Sequence, residues 1–389
     1  MSSRQSVPRI VIAPDSFKGS LSAAAAARAM ADGIRRVRPD AHLILTPMAD
    51  GGEGTLEAML TRGGQALTLQ VDGASGARRV ANAGLLADGS GMLECAEIVG
   101  ITDTVAMAVP VTERSSTGLG MAIRALLDRG IGRILIGLGG SSTNDGGAGM
   151  LAALGAALLD VEGRAVAPTP AGLARLHRVD LRQLDARLRD TQLIALNDVD
   201  NPLIGDTGAT AVFGLQKGVS PAEVKSIDAS LNRYAALLEA AGGWPTRSSE
   251  ESAKARDLPG AGAAGGLGFA LWLLGAELAA GAEVVATEIR LDAALAGAHW
   301  LITGEGRSDT QTLNGKAPFV ACRHAQRVGV PATLLSGAVD TLALPRLAAC
   351  FDGCFSSAPG PIGLELALRD AAALLADAAQ QLARLRFLG

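Results

Sequence analysis

Acids, amides and lysines set among glycines recur from one end of this chain to the other. Ala13–Ser20 carries Asp15 and Lys18, and Asp50–Thr55 carries Asp50 and Glu53. Gly137–Gly147 holds Ser141, Ser142, Thr143, Asn144 and Asp145, and Gly304–Asp309 holds Glu305 and Asp309. Glycine lets a backbone come close to a ligand and turns N–H groups toward anions. Carboxylates among such glycines supply the hard oxygen ligands that a divalent cation takes. The chemistry expected of such loops is phosphoryl transfer on a metal-bound, phosphorylated ligand.

Lysine is scarce: Lys18, Lys217, Lys225, Lys254 and Lys316 are its only occurrences in a Lys+Arg total of 35. Lys18, Lys217 and Lys316 each adjoin a glycine, and a compact ammonium beside flexible backbone neutralises phosphate well. Lys18 and Lys316 are expected to contact phosphate, whereas Lys217 reads equally as a solvated surface side chain. The Asp15–Lys18 loop lies between an apolar strand and a helix, at the positive end of the helix dipole. Asp50 and Glu53 share a helix start, where they either complement the dipole or hold Mg²⁺ through waters. Gly137–Gly147 suits the cradling of phosphates or the gripping of a carboxylate, and lacks the Lys-Ser/Thr of a Walker A loop. Asp198 and Asp200 follow a buried strand, Leu193–Leu196. Of the two, Asp198 is the expected general base for a substrate hydroxyl. Gly260–Gly265 matches Gly-x-Gly-x-x-Gly, but a polar, Pro-broken segment precedes it in place of a strand, so a hinge or nucleotide-covering loop is expected. His42, His177, His299 and His324 have no metal-ligand spacing and read as structural.

The elements that position these groups alternate at both chain ends. Arg9–Ala13 and His42–Pro47 read as strands, each followed by a loop and a helix, the first helix running to Val37 and the second to Leu60. The rhythm returns from Trp300, with a strand at Ala332–Leu335 and a last helix at Gly363–Leu385. Such alternation predicts a parallel sheet with ligand loops at the carboxyl ends of its strands. Between them, Ala66–Asp72, Arg79–Leu86 and Gly91–Ala96 are separated by Gly-rich turns and predict antiparallel pairing. A helix over Thr117–Arg129, a buried strand over Arg133–Leu138 and a helix over Gly149–Leu159 follow. The expected fold is α/β, with a discontinuous doubly wound domain (residues 1–65 and 288–389) and a second α/β domain (66–287) inserted. Residues 245–266 are expected to form a mobile surface loop.

Bulk properties agree with two cores: 389 residues, 48% hydrophobic and 19% charged. A net charge of −4 leaves no electrostatic footprint for nucleic acid. The polar start of the chain has no signal-peptide pattern, and Gly265–Ala282, interrupted by glycines and Glu277, reads as buried helix instead of a membrane span. Four scattered cysteines read as reduced thiols in a cytoplasmic protein.

Five segments in order, Ile12–Ser22, Met48–Thr55, Gly137–Gly149, Asn197–Leu203 with Gly208–Gly218, and Ile302–Pro318, resemble the type I glycerate kinase family. The resemblance spans about residues 9–385. It implies a Rossmann-like doubly wound domain built from both chain ends, with the second α/β domain inserted. It also implies ATP- and Mg²⁺-dependent phosphorylation of D-glycerate to 2-phosphoglycerate, with room for a homo-oligomer. On this basis Asp198, Lys18 and Lys316 are the expected catalytic residues. Ser141, Ser142, Thr143, Asn144, Asp145 and Asn197 would bind substrate or phosphate, and Asp15, Asp50, Glu53, Glu305 and Asp309 would hold the metal. The chain departs from the family pattern at His299-Trp300, Val99 and Met121, and none of these removes a loop acid or lysine. The rivals are a kinase of another small hydroxy acid, a kinase yielding 3-phosphoglycerate, an acid-binding sensor without turnover, and a nicotinamide oxidoreductase, which the misplaced Gly-x-Gly-x-x-Gly counters.

Overall fold

Unbroken apolar runs such as Ile10-Val11-Ile12 suit strands covered on both faces, and five short segments from both chain ends pair in this way. The computed structural model describes residues 7–241 and 255–388. Edge to edge, the sheet runs Gly353–Ser356, Ala332–Ser336, Trp300–Thr303, Arg9–Ile12 and His42–Leu45, all parallel. Counted along the chain, the order is 2-1-3-4-5, a doubly wound arrangement that reverses between Arg9–Ile12 and Trp300–Thr303. Ligands bind outside the carboxyl ends of strands at such a reversal. The loops starting at Ala13 and Gly304 emerge there side by side, with Ala13 N donating to Ile302 O and Asp15 N to Gly304 O, both at 2.8 Å.

The helices Ala23–Arg35 and Ala371–Leu388 cover one face, packing Met30, Ile34, Leu375 and Ala379 on Ile10, Ile12, Trp300 and Ile302. The helix Ala317–Arg327 lies against Trp300–Thr303 and Ala332–Ser336. Ser22 starts the first helix by accepting from Ala25 N at 3.3 Å. Gly33 is where that helix meets its partner, because a Cβ there would lie 2.0 Å from Ala376 O. Alanine would gain about 1 kcal/mol of helix propensity, but overpacking against fixed backbone costs about 1–3 kcal/mol. Gly33→Ala is therefore expected to lower the urea midpoint, and an increase would show that the two helices separate freely. The departures at His299-Trp300 are absorbed by this same packing. Arg9 N donates to His299 Nδ1 at 3.0 Å, and buried Trp300 donates Nε1–H to Thr333 Oγ1 at 2.9 Å.

The chain divides into two compact units, one comprising residues up to Asp50, Glu57–Arg62 and Ala282 onward, the other Gly51–Leu56 and Gly63–Gly281. The second unit has a six-stranded sheet in the order Glu277–Ala279, Gln192–Leu196, Arg133–Gly137, Gly91–Glu94, Arg78–Leu86, Gly64–Asp72. Its first four strands are parallel and the last two form an antiparallel ribbon. Ile98, Leu119, Ile123, Ile134, Ile136 and Leu154 belong to its core.

Three expectations need correction. The helix expected over Gly149–Leu159 stops at Ala153, because Gly155 takes a left-handed φ of 113°, and Ala157–Leu159 forms a strand. The last helix divides at Asp370 into Leu364–Arg369 and Ala371–Leu388. Of the expected mobile loop, residues 245–254 lie outside the described residues, whereas Gly260–Gly266 is packed rather than exposed. A Cβ at Gly265 would lie 2.1 Å from Thr143 O, and Gly146 N donates to Gly265 O at 2.9 Å. That segment braces the Thr143–Gly146 turn and is not a hinge or a cover over a nucleotide. Among the described residues no helix is long and apolar enough to cross a membrane.

Candidate active site

In the first unit the loops at the reversal line one cavity of about 410 Å³. One part of its wall is polar, with Asp15, Ser16, Lys18, Asp50, Glu305 and Lys316, and another is aliphatic, with Leu364, Ala367, Leu368, Ala371 and Leu374. Met48 N donates to Pro14 O at 2.8 Å, which brings the approach to Asp50 alongside the Asp15 loop. Asp15 is only 5% exposed and accepts from Ser16 N at 2.6 Å. Burial, then the neighbouring Asp50 and Glu305, push its carboxyl well above the usual range, while Ser16 N–H and Lys18 pull the other way.

Glu305 is held from three sides. Its Oε1 accepts from Ser308 Oγ at 3.0 Å and Thr312 Oγ1 at 2.7 Å, and Oε2 lies 3.7 Å from Lys316 Nζ. Burial raises its pKa against the pull of these hydroxyls and of Lys316. Asp309 serves the backbone instead, since its carboxylate accepts from Gln311 N at 2.8 Å and caps the turn Thr310–Leu313. It is not among the residues lining the cavity, but it lies near enough to Glu305 to push that carboxyl up. Glu53 belongs to the other unit, where it is exposed. Among the described residues no group of three or more His, Cys, Asp or Glu side chains is arranged to hold a metal ion.

In the second unit, neighbouring parallel strands deliver Leu138–Gly147 and Asn197–Asp198 to the same sheet edge, with Gly137 opposite Leu196. Gly139 N donates to Gly51 O at 3.2 Å, which places the Gly51 turn there too. Only part of the Ser141–Asp145 set is available to a ligand. Ser142 Oγ donates to Val99 O at 2.8 Å and Asn144 Nδ2 to Thr210 Oγ1 at 2.9 Å, both fully buried. Asp145 accepts from Ser116 N, Ser116 Oγ, Gly147 N and Gly149 N at 2.7–3.1 Å. These three residues fasten the turn, with Asn144 Oδ1 left buried and without a partner. Asn197 closes on its own loop, with Nδ2 donating to Val199 O at 2.6 Å and Oδ1 accepting from Val199 N at 3.1 Å. Asp198 is exposed and accepts from Gly281 N at 3.1 Å, at the start of the helix Gly281–Glu288.

Three buried ionisable residues stand near this turn or its strands; Arg114 and Glu94 escaped sequence reasoning, and Lys217 was read equally as phosphate contact or surface side chain. Lys217 is 2% exposed and donates to Ser141 Oγ at 3.0 Å and Thr143 O at 2.8 Å. Burial lowers its pKa to about 8. Arg114, equally buried, donates to the carbonyls of Val109, Ser142 and Lys217 at 2.9–3.2 Å. Glu94 accepts from Leu56 N at 2.6 Å, and burial pushes it up to about 7. The rarity of lysine and the adjoining glycine singled out Lys217, while Arg114 and Glu94 gave no comparable signal.

A doubly wound sheet with a cavity of clustered acids and lysines at its reversal is an arrangement suited to a nucleotide-dependent phosphotransferase. Residues 10–386 match the model of the glycerate kinase family. A glycerate kinase of Bacillus subtilis (strain 168) is 39% identical over 96% of this chain and 97% of its own. A glycerate 2-kinase of Escherichia coli (strain K12) is 40% identical over 85% of each. A crystallised chain from Salmonella typhimurium LT2 designated glycerate kinase 2 superposes with a TM-score of 0.83 at 40% identity, covering 98% of this chain and 99% of that one. The chain belongs to the glycerate kinase family, and it is an ATP-dependent kinase.

Proposed function

We propose that this protein transfers the γ-phosphoryl group of ATP to the 2-hydroxyl of D-glycerate, giving 2-phosphoglycerate in the cytoplasm. The carrying observation is the cavity of the first unit, where three acids and two lysines occupy one part of the wall and aliphatic side chains another. A nucleotide matches both parts: phosphates beside Lys18 and Lys316, base and sugar against Leu364, Leu368 and Leu374. Asp15 and Asp50 fit Mg²⁺, which takes one or two carboxylates plus phosphate oxygens, and the burial and then the neighbouring acids that raise the Asp15 pKa leave a charge that a dication offsets. Bound there, Mg²⁺ would draw charge from the phosphate oxygens.

Phosphoryl transfer needs placement and charge neutralisation more than covalent chemistry. Lys18 and Lys316 balance charge on the transferred group, and Glu305 positions Lys316. In the second unit the turn at Ser141 and Thr143 holds the carboxylate of the acid, and Asp198 accepts the hydroxyl proton. The 2-phosphoglycerate product is supported by the name of the Escherichia coli relative. Four free thiols fit a reducing compartment.

The test is incubation with ATP, Mg²⁺ and D-glycerate, with the phosphoglycerates resolved by NMR. One ADP per 2-phosphoglycerate is expected. A 3-phosphoglycerate product would overturn the regiochemistry, and turnover only on another hydroxy acid would overturn the substrate.

A further inference from the structure

Two cations lie buried beneath the Ser141–Thr143 turn, and among the described residues neither forms an ion pair with an acid. A buried charge without a counter-ion is among the most unfavourable arrangements a fold carries. Arg114 offsets this with the carbonyls of Met107, Val109, Ser142 and Lys217 and with Met107 Sδ. Lys217 has no such coverage. Its ammonium offers three donors and uses two, on Ser141 Oγ and Thr143 O. Asp145, the nearby buried acid, is already satisfied by four donors from Ser116, Gly147 and Gly149.

Ser141 accepts from Lys217, so its own hydroxyl proton remains to donate. One ammonium N–H and one hydroxyl, held 3.0 Å apart by their heavy atoms, make a pair of donors of the kind a single carboxylate takes. Thr143 Oγ1 is buried in the same turn without a partner. Gly140 and Gly218, which adjoin Ser141 and Lys217 in the chain, are exposed and place no side chain over the pair.

We propose that Lys217 is the specificity-determining cation for the substrate's carboxylate, forming with the Ser141 hydroxyl an anion hole that selects a hydroxy acid over its uncharged analogues. This rests on the reading that the acid binds at the Ser141 turn. Asp145 attracts the Lys217 ammonium without forming an ion pair with it, so the substrate carboxylate brings the direct partner that the buried charge lacks. Phosphate groups are served by Lys18 and Lys316 in the other unit.

The test compares D-glycerate with D-glyceramide, the neutral amide with the same hydroxyls. In Lys217→Met the acid-over-amide ratio of kcat/KM is expected to fall at least about 10-fold, the scale of a hydrogen bond to a charged group. Equal losses on both substrates would reduce Lys217 to a support of the turn and overturn the proposal. The wild-type protein supplies a second measurement that needs no variant. Arg114, Asp145 and Cys95 are the charged or titratable groups around Lys217, and burial lowers the ammonium to about 8 while driving the Cys95 thiol up to about 12. Above pH about 8 the ammonium loses its proton, so kcat/KM for D-glycerate is expected to fall while that for the amide falls less. Parallel profiles would overturn the proposal. Ser141→Ala separates the role of Lys217 from the placement of the acid. If it raises KM for D-glycerate and Lys217→Met does not, the acid binds at the turn without Lys217. If neither moves KM, the placement of the acid is wrong and the proposal falls with it.

Discussion

Asp198→Asn is expected to lower kcat with D-glycerate by about a hundred- to ten-thousandfold, the usual contribution of a positioned general base, while the protein stays folded. The substitution is a clean one because the Asp198 oxygen that accepts from Gly281 N has a counterpart in the asparagine amide. The start of the helix Gly281–Glu288 therefore stays capped, and circular dichroism should not change. What disappears is the ability to take a proton from the substrate hydroxyl. A kcat within threefold of wild type would show that another group accepts that proton. The loosely bonded transition state of phosphoryl transfer places the expected loss toward the lower end of the range.

Asp15→Asn is expected to move activity and stability in opposite directions. Activity should fall at least about a hundredfold in kcat/KM for Mg-ATP, on the scale of other losses of electrostatic preorganisation. Stability should rise at pH 7, because the native state raises the Asp15 pKa through burial and the neighbouring Asp50 and Glu305. The sign follows from linkage. A carboxyl with a raised native pKa binds more protons folded than unfolded, so its ionisation destabilises the fold as pH increases. Each ~1 kcal/mol so relieved adds roughly 2–4 °C to Tm for a domain of ~150–250 residues. The difference between wild type and variant should shrink as pH falls toward ~3.9 and level off below it, where Asp15 is neutral in both states. A variant that loses stability at pH 7 would show that Asp15 makes a structural bond outweighing its crowding.

Much of the polar lining of the first unit's cavity was legible in the sequence for a topological reason. Loops that follow neighbouring parallel strands leave a sheet by the same edge, so Asp15 and Glu305 had to lie close once Arg9–Ile12 and Trp300–Thr303 were paired. Lys18 and Lys316 were visible because lysine is otherwise rare here. The edge strand Gly353–Ser356 was not visible, since a half-exposed Gly-Cys-Phe-Ser has neither an apolar run nor alternation. Composition also could not separate acids that serve a ligand from acids that serve the backbone. Asp145 sits among glycines just as Asp15 does, yet four donors from Ser116, Gly147 and Gly149 occupy it, whereas Asp15 accepts only from Ser16 N among the bonds described. Lys217, Arg114 and Glu94 matter through burial, and burial of a charge is decided by distant parts of the chain.

The pairing of Arg9–Ile12 with Trp300–Thr303 has a consequence for the order of synthesis. Arg9 must wait for His299, 290 positions further along, which at ribosomal rates of ~5–20 residues per second is roughly 15–60 s. Through that interval the nascent Ile-Val-Ile segment has only His42–Leu45 of its two neighbours, and by its end every strand of the second unit's sheet has been synthesised. The second unit can thus mature on the ribosome ahead of the first, whose sheet is finished only after Gly353–Ser356 has been made.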